Sequence, residues 1–532
     1  MDHDRLRCHF NAFATGSNNK SFRIGNWKLM ILDLLENGDP SRIAISIAGG
    51  GPAVTPLVTY GQLRKQVEAL VKTLNQLGLG RGDRIAMALP NGLEVIASFL
   101  AASTVGTAAP LNPAYTRDEF KFYLADTGAR ALIVPPTGSD EARAAANDNV
   151  LLIEADLDGD GQVRFSAAGT AGAPRAHEDP TNDDIALILH TSGTTSRPKR
   201  VPLSHANLMT SARNVSETYQ LTSADVSLCV MPLFHVHGLV ASTLATLFTG
   251  GTVVVPPKFN PLSFWSIIRE HGASWYSAVP TIHQVLLSRA KGARPSGAEQ
   301  LRFIRSCSAA LAPQTMADIE ERFGVPILEA YGMTEAAHQM ASNPLPPRAR
   351  KAGSVGRGTA VEIAVLDEAG DQLPPGTVGE VSIKGPNVFQ GYEGNAEANA
   401  ESFSNGWFRT GDQGYLDDEG YLTLVGRIKE LINRGGEKIS PREIDETLLT
   451  HPAVAEAVCF GIAHRVYGEE VAAAVVLKGA ATESDLIAHC RLSLSDFKCP
   501  TAIYIMESIP RTATGKTQRR NVAAAITKSD DA

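Results

Sequence analysis

A chain of 532 residues with 43% apolar side chains is long enough for roughly three or four domains, each with a buried core. Its net charge of -8 excludes broad binding to nucleic acid or to an anionic membrane surface, because both need clustered Lys and Arg, so an acidic ligand must be met by local charge. Cys8, Cys229, Cys307, Cys459, Cys490 and Cys499 are scattered without a Cys-x-x-Cys pair, which argues against a disulfide frame or zinc ribbon and predicts reduced cytosolic thiols. No apolar run approaches the ~18 residues of a membrane span. The start lacks a signal-peptide core and the chain ends Ser-Asp-Asp-Ala without a peroxisomal address, so a cytoplasmic location is expected.

Residues 1–25 carry no apolar period and are expected to be a loose extension. Thr59-Tyr60-Gly61-Gln62 reads as a capping box, followed by Leu63, Val67, Leu70, Val71, Leu74 and Leu77 at helical spacing and then Gly78 as a stop. Short β-like runs at 84–89, 131–134, 150–154, 185–189, 251–255 and 275–279 recur with helices between them. This alternation predicts an α/β fold, a large multi-subdomain N-terminal part with layered sheets, whose parallel strands gather ligands beyond their carboxyl ends.

Directly after the run at 185–189 stands Thr191-Ser192-Gly193-Thr194-Thr195-Ser196-Arg197-Pro198-Lys199. The glycine lets main chain approach an anion, hydroxyl and N–H groups are short donors, and the Lys199 ammonium meets phosphate charge. The Walker A spacing is absent, so P-loop NTPase chemistry does not follow; taken alone, the run equally suits a surface loop. Further on, after the turn-rich Asp417-Asp418-Glu419-Gly420, a strand at 422–425 leads into Gly426-Arg427-Ile428-Lys429. A domain boundary is expected there, separating an N-terminal domain at 26–426 from a small mobile α+β domain at 427–532, with a hinge near 427–430. Rigid packing of the two parts is the other reading. Ser440-Pro441-Arg442-Glu443 predicts a helix start with Ser440 as cap, proline in the first turn and Glu443 as capping partner.

The wording HTSGTTSRPK followed by VPLSHANL resembles the phosphate loop of the adenylate-forming superfamily of acyl-CoA synthetases, luciferases and peptide-synthetase adenylation domains. MPLFHVHGL (231–239), CSAALAP (307–313), EAYGMTE (329–335), WFRTGD (407–412), GRIKELINRGGEKI (426–439) and PRTATGK (510–516) follow in that superfamily's order. The resemblance covers the chain from about residue 28 onward, and several ordered motifs are far more specific than one. Ser196, PLFHVHGL, WYSAVPTIHQ (275–284) and EAYGMTEAAH are most similar to oxalate-CoA ligases.

The resemblance implies a ligase dependent on ATP and Mg²⁺ that makes an acyl-adenylate and then an acyl-CoA, with coenzyme A as co-substrate and oxalate as the preferred acid. Malonate, 4-coumarate and medium-chain acids are the alternatives. A carboxylate is a poor electrophile, and transfer to AMP supplies both activation and a leaving group, so catalysis rests on positioning and on cations placed where charge develops. On this resemblance Lys516 bridges the acid and the α-phosphate, where a lysine near Arg511, Arg519 and Arg520 otherwise reads as a solvated tail. Thr191, Ser192, Gly193, Thr194, Thr195 and Lys199 cradle phosphate, and Glu335 with Thr194 holds Mg²⁺. Tyr331 offers a flat face to adenine, flanked by Ser308, Ala309, Glu329, Ala330, Gly332 and Thr334, although such a turn also serves as a helix cap at Thr334. Asp412 accepts from the ribose hydroxyls and Arg427 adds a donor, where an isolated Thr-Gly-Asp is a plain turn. Gly435, Gly436 and Lys438 give a pantetheine arm room, or form a hairpin turn.

His235, also implied in catalysis, and His237, Ser308 and His338 place polar donors where a greasy acyl pocket needs none, which suits a small dianion; a His pair at i, i+2 is otherwise a structural or solvent-facing feature. The stretch 234–238 lacks an Asp to pair an α-amino group, and no tethered carrier domain is expected after Lys516, so amino-acid activation is disfavoured. Arg200 stands where the superfamily usually has glycine. If that position needs positive φ, arginine strains it by about 1–3 kcal/mol and the protein is a nucleotide binder of impaired catalysis; alternatively the extra cation tightens pyrophosphate.

Overall fold

In the expected capping box, Thr59 Oγ1 accepts from the Gln62 N–H at 3.2 Å while the Gln62 side chain accepts from the Thr59 N–H at 2.9 Å. The helix Tyr60–Gln76 buries Leu63, Val67, Leu70, Val71 and Leu74 on one face. Gly78 follows at φ +84, and a Cβ there would meet Gly172 Cα at 2.8 Å, so the stop is both conformational and steric. The computed structural model describes residues 30–49, 57–168, 172–191, 198–290, 292–512 and 517–530; the extension expected at 1–25 lies outside them.

Two large sheets carry the N-terminal part. One has seven strands in the spatial order Val163–Ala168, Leu151–Leu157, Ala131–Val134, Arg84–Met87, Thr107–Pro110, Ile185–Thr191 and Lys199–Ser204, parallel in the middle and antiparallel at both edges. The other has nine strands and a parallel centre running through Thr252–Val255, Val226–Cys229, Trp275–Ala278, Phe303–Ser306 and Ile327–Met333. Runs such as Thr252-Val253-Val254-Val255 suit strands covered on both faces by helices. Leu151–Leu157 runs past the expected 150–154 because Val163–Ala168 pairs back along it as a hairpin.

A five-stranded sheet then includes Trp407–Leu416 and Leu422–Arg427, and the last sheet is built from Ile432–Arg434, Glu437–Ile439, Val454–His464, Gly468–Leu477 and Ala502–Ile505. The last sheet has its own cluster, including Ile432, Ile444, Leu448, Val471 and Leu486. This is the expected α/β architecture of layered sheets with a smaller C-terminal α+β part. Among the described residues, no helix is long and apolar enough to cross a membrane.

The junction differs from expectation in two ways. The strand after the turn continues to Arg427, whose register partner is Asp412. The helix Pro441–Leu449 has proline in its first turn as expected, but Ser440 makes no side-chain cap. Its hydroxyl donates to the Val425 carbonyl at 2.6 Å, and Glu443 accepts from Lys498 Nζ at 2.8 Å. The buried hydroxyl meets a strand carbonyl across the junction, while the carboxylate takes a charged donor, a stronger partner than a backbone amide.

Candidate active site

The segment expected to hold phosphate is flanked by two paired strands in which Thr191 lies opposite Lys199. Ser192, Gly193, Thr194 and Thr195 lie outside the described residues, as does Lys516. Lys199 places its ammonium 4.4 Å from the centre of the Tyr392 ring, and Tyr392 Oη donates to Glu335 Oε1 at 2.8 Å. Glu335 is buried in the short helical turn Thr334–Ala336, where Thr334 does not cap, so the capping alternative fails there. Burial pushes the Glu335 carboxyl up, and the Tyr392 bond, Arg427 and Lys199 pull it back. Among the described residues no three His, Cys, Asp or Glu side chains gather as a metal set. One buried carboxylate, Glu335, joined through Tyr392 to the Lys199 ammonium, fits Mg²⁺ held largely by nucleotide oxygens.

Beside this chain, Tyr331 donates its hydroxyl to Asp412, and Arg427 Nε donates to Asp412 Oδ1 at 2.8 Å. Asp412 is 6% exposed and its two oxygens offer about four acceptor positions, so two remain for other donors. Burial, then the Asp412 charge, pushes the Tyr331 phenol up and keeps it a donor.

Glu329 and Ala330 belong to the sheet more than to an open pocket. The Glu329 carbonyl accepts from Asn343 N–H at 3.0 Å, its Oε1 accepts from Leu311 N–H at 2.9 Å, and Ala330 pairs with Ser342. Burial pushes the Glu329 carboxyl up to about 7, against the pull of Arg442. A folded-state value above the usual 4.5 means that stability is complete below that value and is lost as pH rises towards 7. Glu329→Gln cannot ionise, so its stability relative to wild type is expected to rise by about 3 kcal/mol across that interval. Melting temperatures of both proteins across the interval check this; a constant difference means the carboxylate ionises without penalty.

At the acyl end, His237 is enclosed and joins Ser308 Oγ at 3.0 Å through Nδ1 and Ser277 Oγ at 2.6 Å through Nε2. His338 packs its ring 5.2 Å from that of His237, and His235 Nδ1 accepts from the His237 N–H at 3.2 Å. Ser308 and His338 hold φ values of 73° and 115°, strained for side-chain-bearing residues. Ser308 is half-buried while the following Ala309 is exposed, so this cluster lies where the enclosed histidines meet the surface. Gly332 packs against it, since a Cβ there would lie 2.1 Å from the His338 carbonyl oxygen. The four residues expected at the acyl end are thus together.

Gly435 and Gly436, at φ +60 and +99, form the two-residue turn between the strands Ile432–Arg434 and Glu437–Ile439, with Lys438 exposed on the second. The hairpin alternative is therefore the local structure.

The expected strain at Arg200 is absent. Arg200 sits in the strand Lys199–Ser204 opposite His190, outside the positive-φ region. Its guanidinium donates to the Asp126 carbonyl and lies 3.4 Å from Glu393 Oε2, while His190 Nε2 meets Asp126 Oδ2 at 2.9 Å and Arg84 also pairs with Glu393. The side chain is engaged in a charged cluster, so neither the impaired-catalysis reading nor the extra-phosphate-cation reading keeps its premise. Sequence reasoning missed Tyr392, Asp126 and Glu393, which lie in a Gly-rich turn and on a helix with no motif around them. It also missed Arg305, whose signal was a charge inside the apolar run Phe303-Ile304-Arg305-Ser306.

The chain is similar to known proteins over most of its length. The family model for the AMP-binding enzyme matches residues 38–393, and that for the AMP-binding enzyme C-terminal domain matches 443–516. A probable CoA ligase, CCL9, of Humulus lupulus is 49% identical over 88% of this chain and 91% of its own. An oxalate–CoA ligase of Arabidopsis thaliana is 46% identical over 91% of this chain and 95% of its own. The solved structure of ATP-bound MatB from Rhodopseudomonas palustris superposes with a TM-score of 0.83 at 30% identity, covering 95% of this chain and 100% of that one. The similarity thus runs along nearly the whole length, and the chain belongs to the AMP-binding enzyme family.

Proposed function

We propose that this chain is an AMP-forming acid–CoA ligase with oxalate as its preferred acid. The observation that carries the reading is the acyl end itself: enclosed His237 and His338 with half-buried Ser308 form a polar, hydrogen-bonded lining that suits a second carboxylate and would penalise an apolar chain. The 46% identity to oxalate–CoA ligases of Arabidopsis thaliana and Saccharomyces cerevisiae supports the same acid.

In the proposed reaction a carboxylate oxygen attacks the α-phosphorus of ATP and the bond to pyrophosphate breaks. The CoA sulfur then attacks the acyl carbon, the acyl–phosphate bond breaks with its electrons on AMP, and the thiol proton passes to solvent. Thr191, Ser192, Gly193, Thr194, Thr195 and Lys199 hold the phosphates, Tyr331 and its neighbours the adenine, and Asp412 with Arg427 the ribose. His235 faces the reacting carboxylate and Lys516 bridges the two anions. Mg²⁺, held through Glu335 with Thr194, would offset charge on the leaving pyrophosphate. Gly435, Gly436 and Lys438 line the thiol's approach. The lobes 26–426 and 427–532 turn about 427–430 between the two half-reactions, and the enzyme works in the cytoplasm.

A panel of oxalate, malonate, 4-coumarate and hexanoate with ATP, Mg²⁺ and CoA tests this through AMP release. Oxalate is expected to lead in kcat/KM by at least about 10-fold, a margin that a site built to pair a polar group readily supplies. Faster release with malonate replaces the substrate, and no acid-dependent release removes the activity.

A further inference from the structure

Arg305 lies within the strand Phe303–Ser306 and is 0% exposed. A guanidinium stays charged, and a buried charge is costly unless an opposite charge accompanies it. Its hydrogen bonds among the described residues run to neutral groups. Nε donates to Tyr219 Oη at 2.9 Å and Gln339 Oε1 at 3.3 Å, Nη1 to Ser277 Oγ at 3.0 Å and His237 Nε2 at 3.5 Å, and Nη2 to Gln339 Oε1 at 3.1 Å and His338 Nδ1 at 3.3 Å.

These bonds assign two tautomers. A guanidinium has no lone pair, so the ring nitrogens it faces accept: Nε2 of His237 and Nδ1 of His338. Each ring then carries its proton on the other nitrogen. For His237 that is Nδ1, which donates to Ser308 Oγ at 3.0 Å, so the Ser308 hydroxyl proton is directed onward to a further acceptor. Ser277 completes the relay by accepting from Arg305 and donating to His237 Nε2 at 2.6 Å. The strained backbones of Ser308 and His338 sit in this one cluster, Ser308 joined to Arg305 through His237 and His338 bonded to it directly.

We propose that Arg305 is the positioning residue that makes the acyl end select a second carboxylate, by turning His338 and, through His237, the Ser308 hydroxyl into donors and by placing a positive charge with no opposite charge among its described hydrogen-bond partners behind them. The inference rests on the acid–CoA ligase reading and deepens it: a dianion supplies the counter-charge that the described residues around Arg305 do not, and a monoanion of the same size does not. Arg305 acts through its neighbours and touches no reacting atom.

The test uses the full chain with Arg305→Met, Arg305→Gln and Arg305→Lys. Acid-dependent pyrophosphate exchange is measured with oxalate and with glyoxylate, which has nearly the same size and one carboxylate fewer, and ATP affinity by calorimetry reports the integrity of the nucleotide site. In the Met and Gln variants the oxalate KM is expected to rise about 100-fold, with kcat for oxalate and kcat/KM for glyoxylate each within about 3-fold of wild type, whereas Lys keeps most of the preference for oxalate. If Met loses ATP binding, Gln alone decides, because it keeps amide hydrogen-bonding groups while removing the charge. Loss of both acids by the same factor, with ATP still bound, or an unchanged preference in the Gln variant, overturns the assignment. A wild type inactive with oxalate, malonate, 4-coumarate and hexanoate alike would instead remove the ligase reading, before any variant is made.

Discussion

Lys516→Ala is expected to lower acid-dependent pyrophosphate exchange by about 1,000-fold while oxalyl-CoA formation from supplied oxalyl-adenylate stays within about 3-fold of wild type. Joining a carboxylate to a nucleotide phosphate brings two anions to bonding distance, and one ammonium between them offsets the repulsion where it is greatest. Once the adenylate exists that repulsion is gone, and the thiol step has no need of the same cation. The flanking residues argue against a solvated basic tail. Arg511 is bridged to Thr517 across the segment and pairs with Glu456 at 2.5 Å, and Arg519 pairs with Asp445 at 2.7 Å and Glu430 at 3.2 Å. The approach to Lys516 is therefore anchored on both sides. Labelled pyrophosphate exchange and a separate thioester assay read the two halves, and equal loss of both would show that one role serves both steps.

Asp412→Ala is expected to weaken ATP binding by at least about 100-fold and to cost about 2 kcal/mol of stability. On the proposed reading the affinity loss comes from two ribose hydroxyls losing a charged acceptor. The stability loss comes from the buried Tyr331 hydroxyl, which loses its partner, and from Arg427, which loses its counter-ion but is exposed enough to rehydrate. Asp412→Asn keeps the shape and loses the charge, so it should fall between. Calorimetric titration with ATP and thermal melts measure both effects; unchanged affinity beside lowered stability would make Asp412 a purely structural residue.

The sequence was most readable where the physics is local. The Thr59 box, the Gly78 stop and the apolar strand runs depend on neighbours within a few residues, and each forms as expected. It was least readable where a polar side chain has to choose among partners far away in the chain. Ser440 had the right neighbours for a cap, yet its hydroxyl bonds Val425, and Arg200 looked like a strained loop residue because Asp126 and Glu393 are brought beside it only by the folded sheets. The four acyl-end residues could be grouped from motifs, but the cation that ties them together could not, because Arg305 carries no motif and meets Tyr219, Ser277 and Gln339 only across the packed core.

The Ser440 hydroxyl has a mechanical consequence. A capping bond travels with its helix, whereas a bond from the helix entrance to the Val425 carbonyl spans the sheet change at the junction. Such a fastening is directional, so it sets one resting register, and it is cheap to undo, about 1 kcal/mol once water takes over both groups. A catch of that strength fixes where the helix entrance rests against the strand without locking it there.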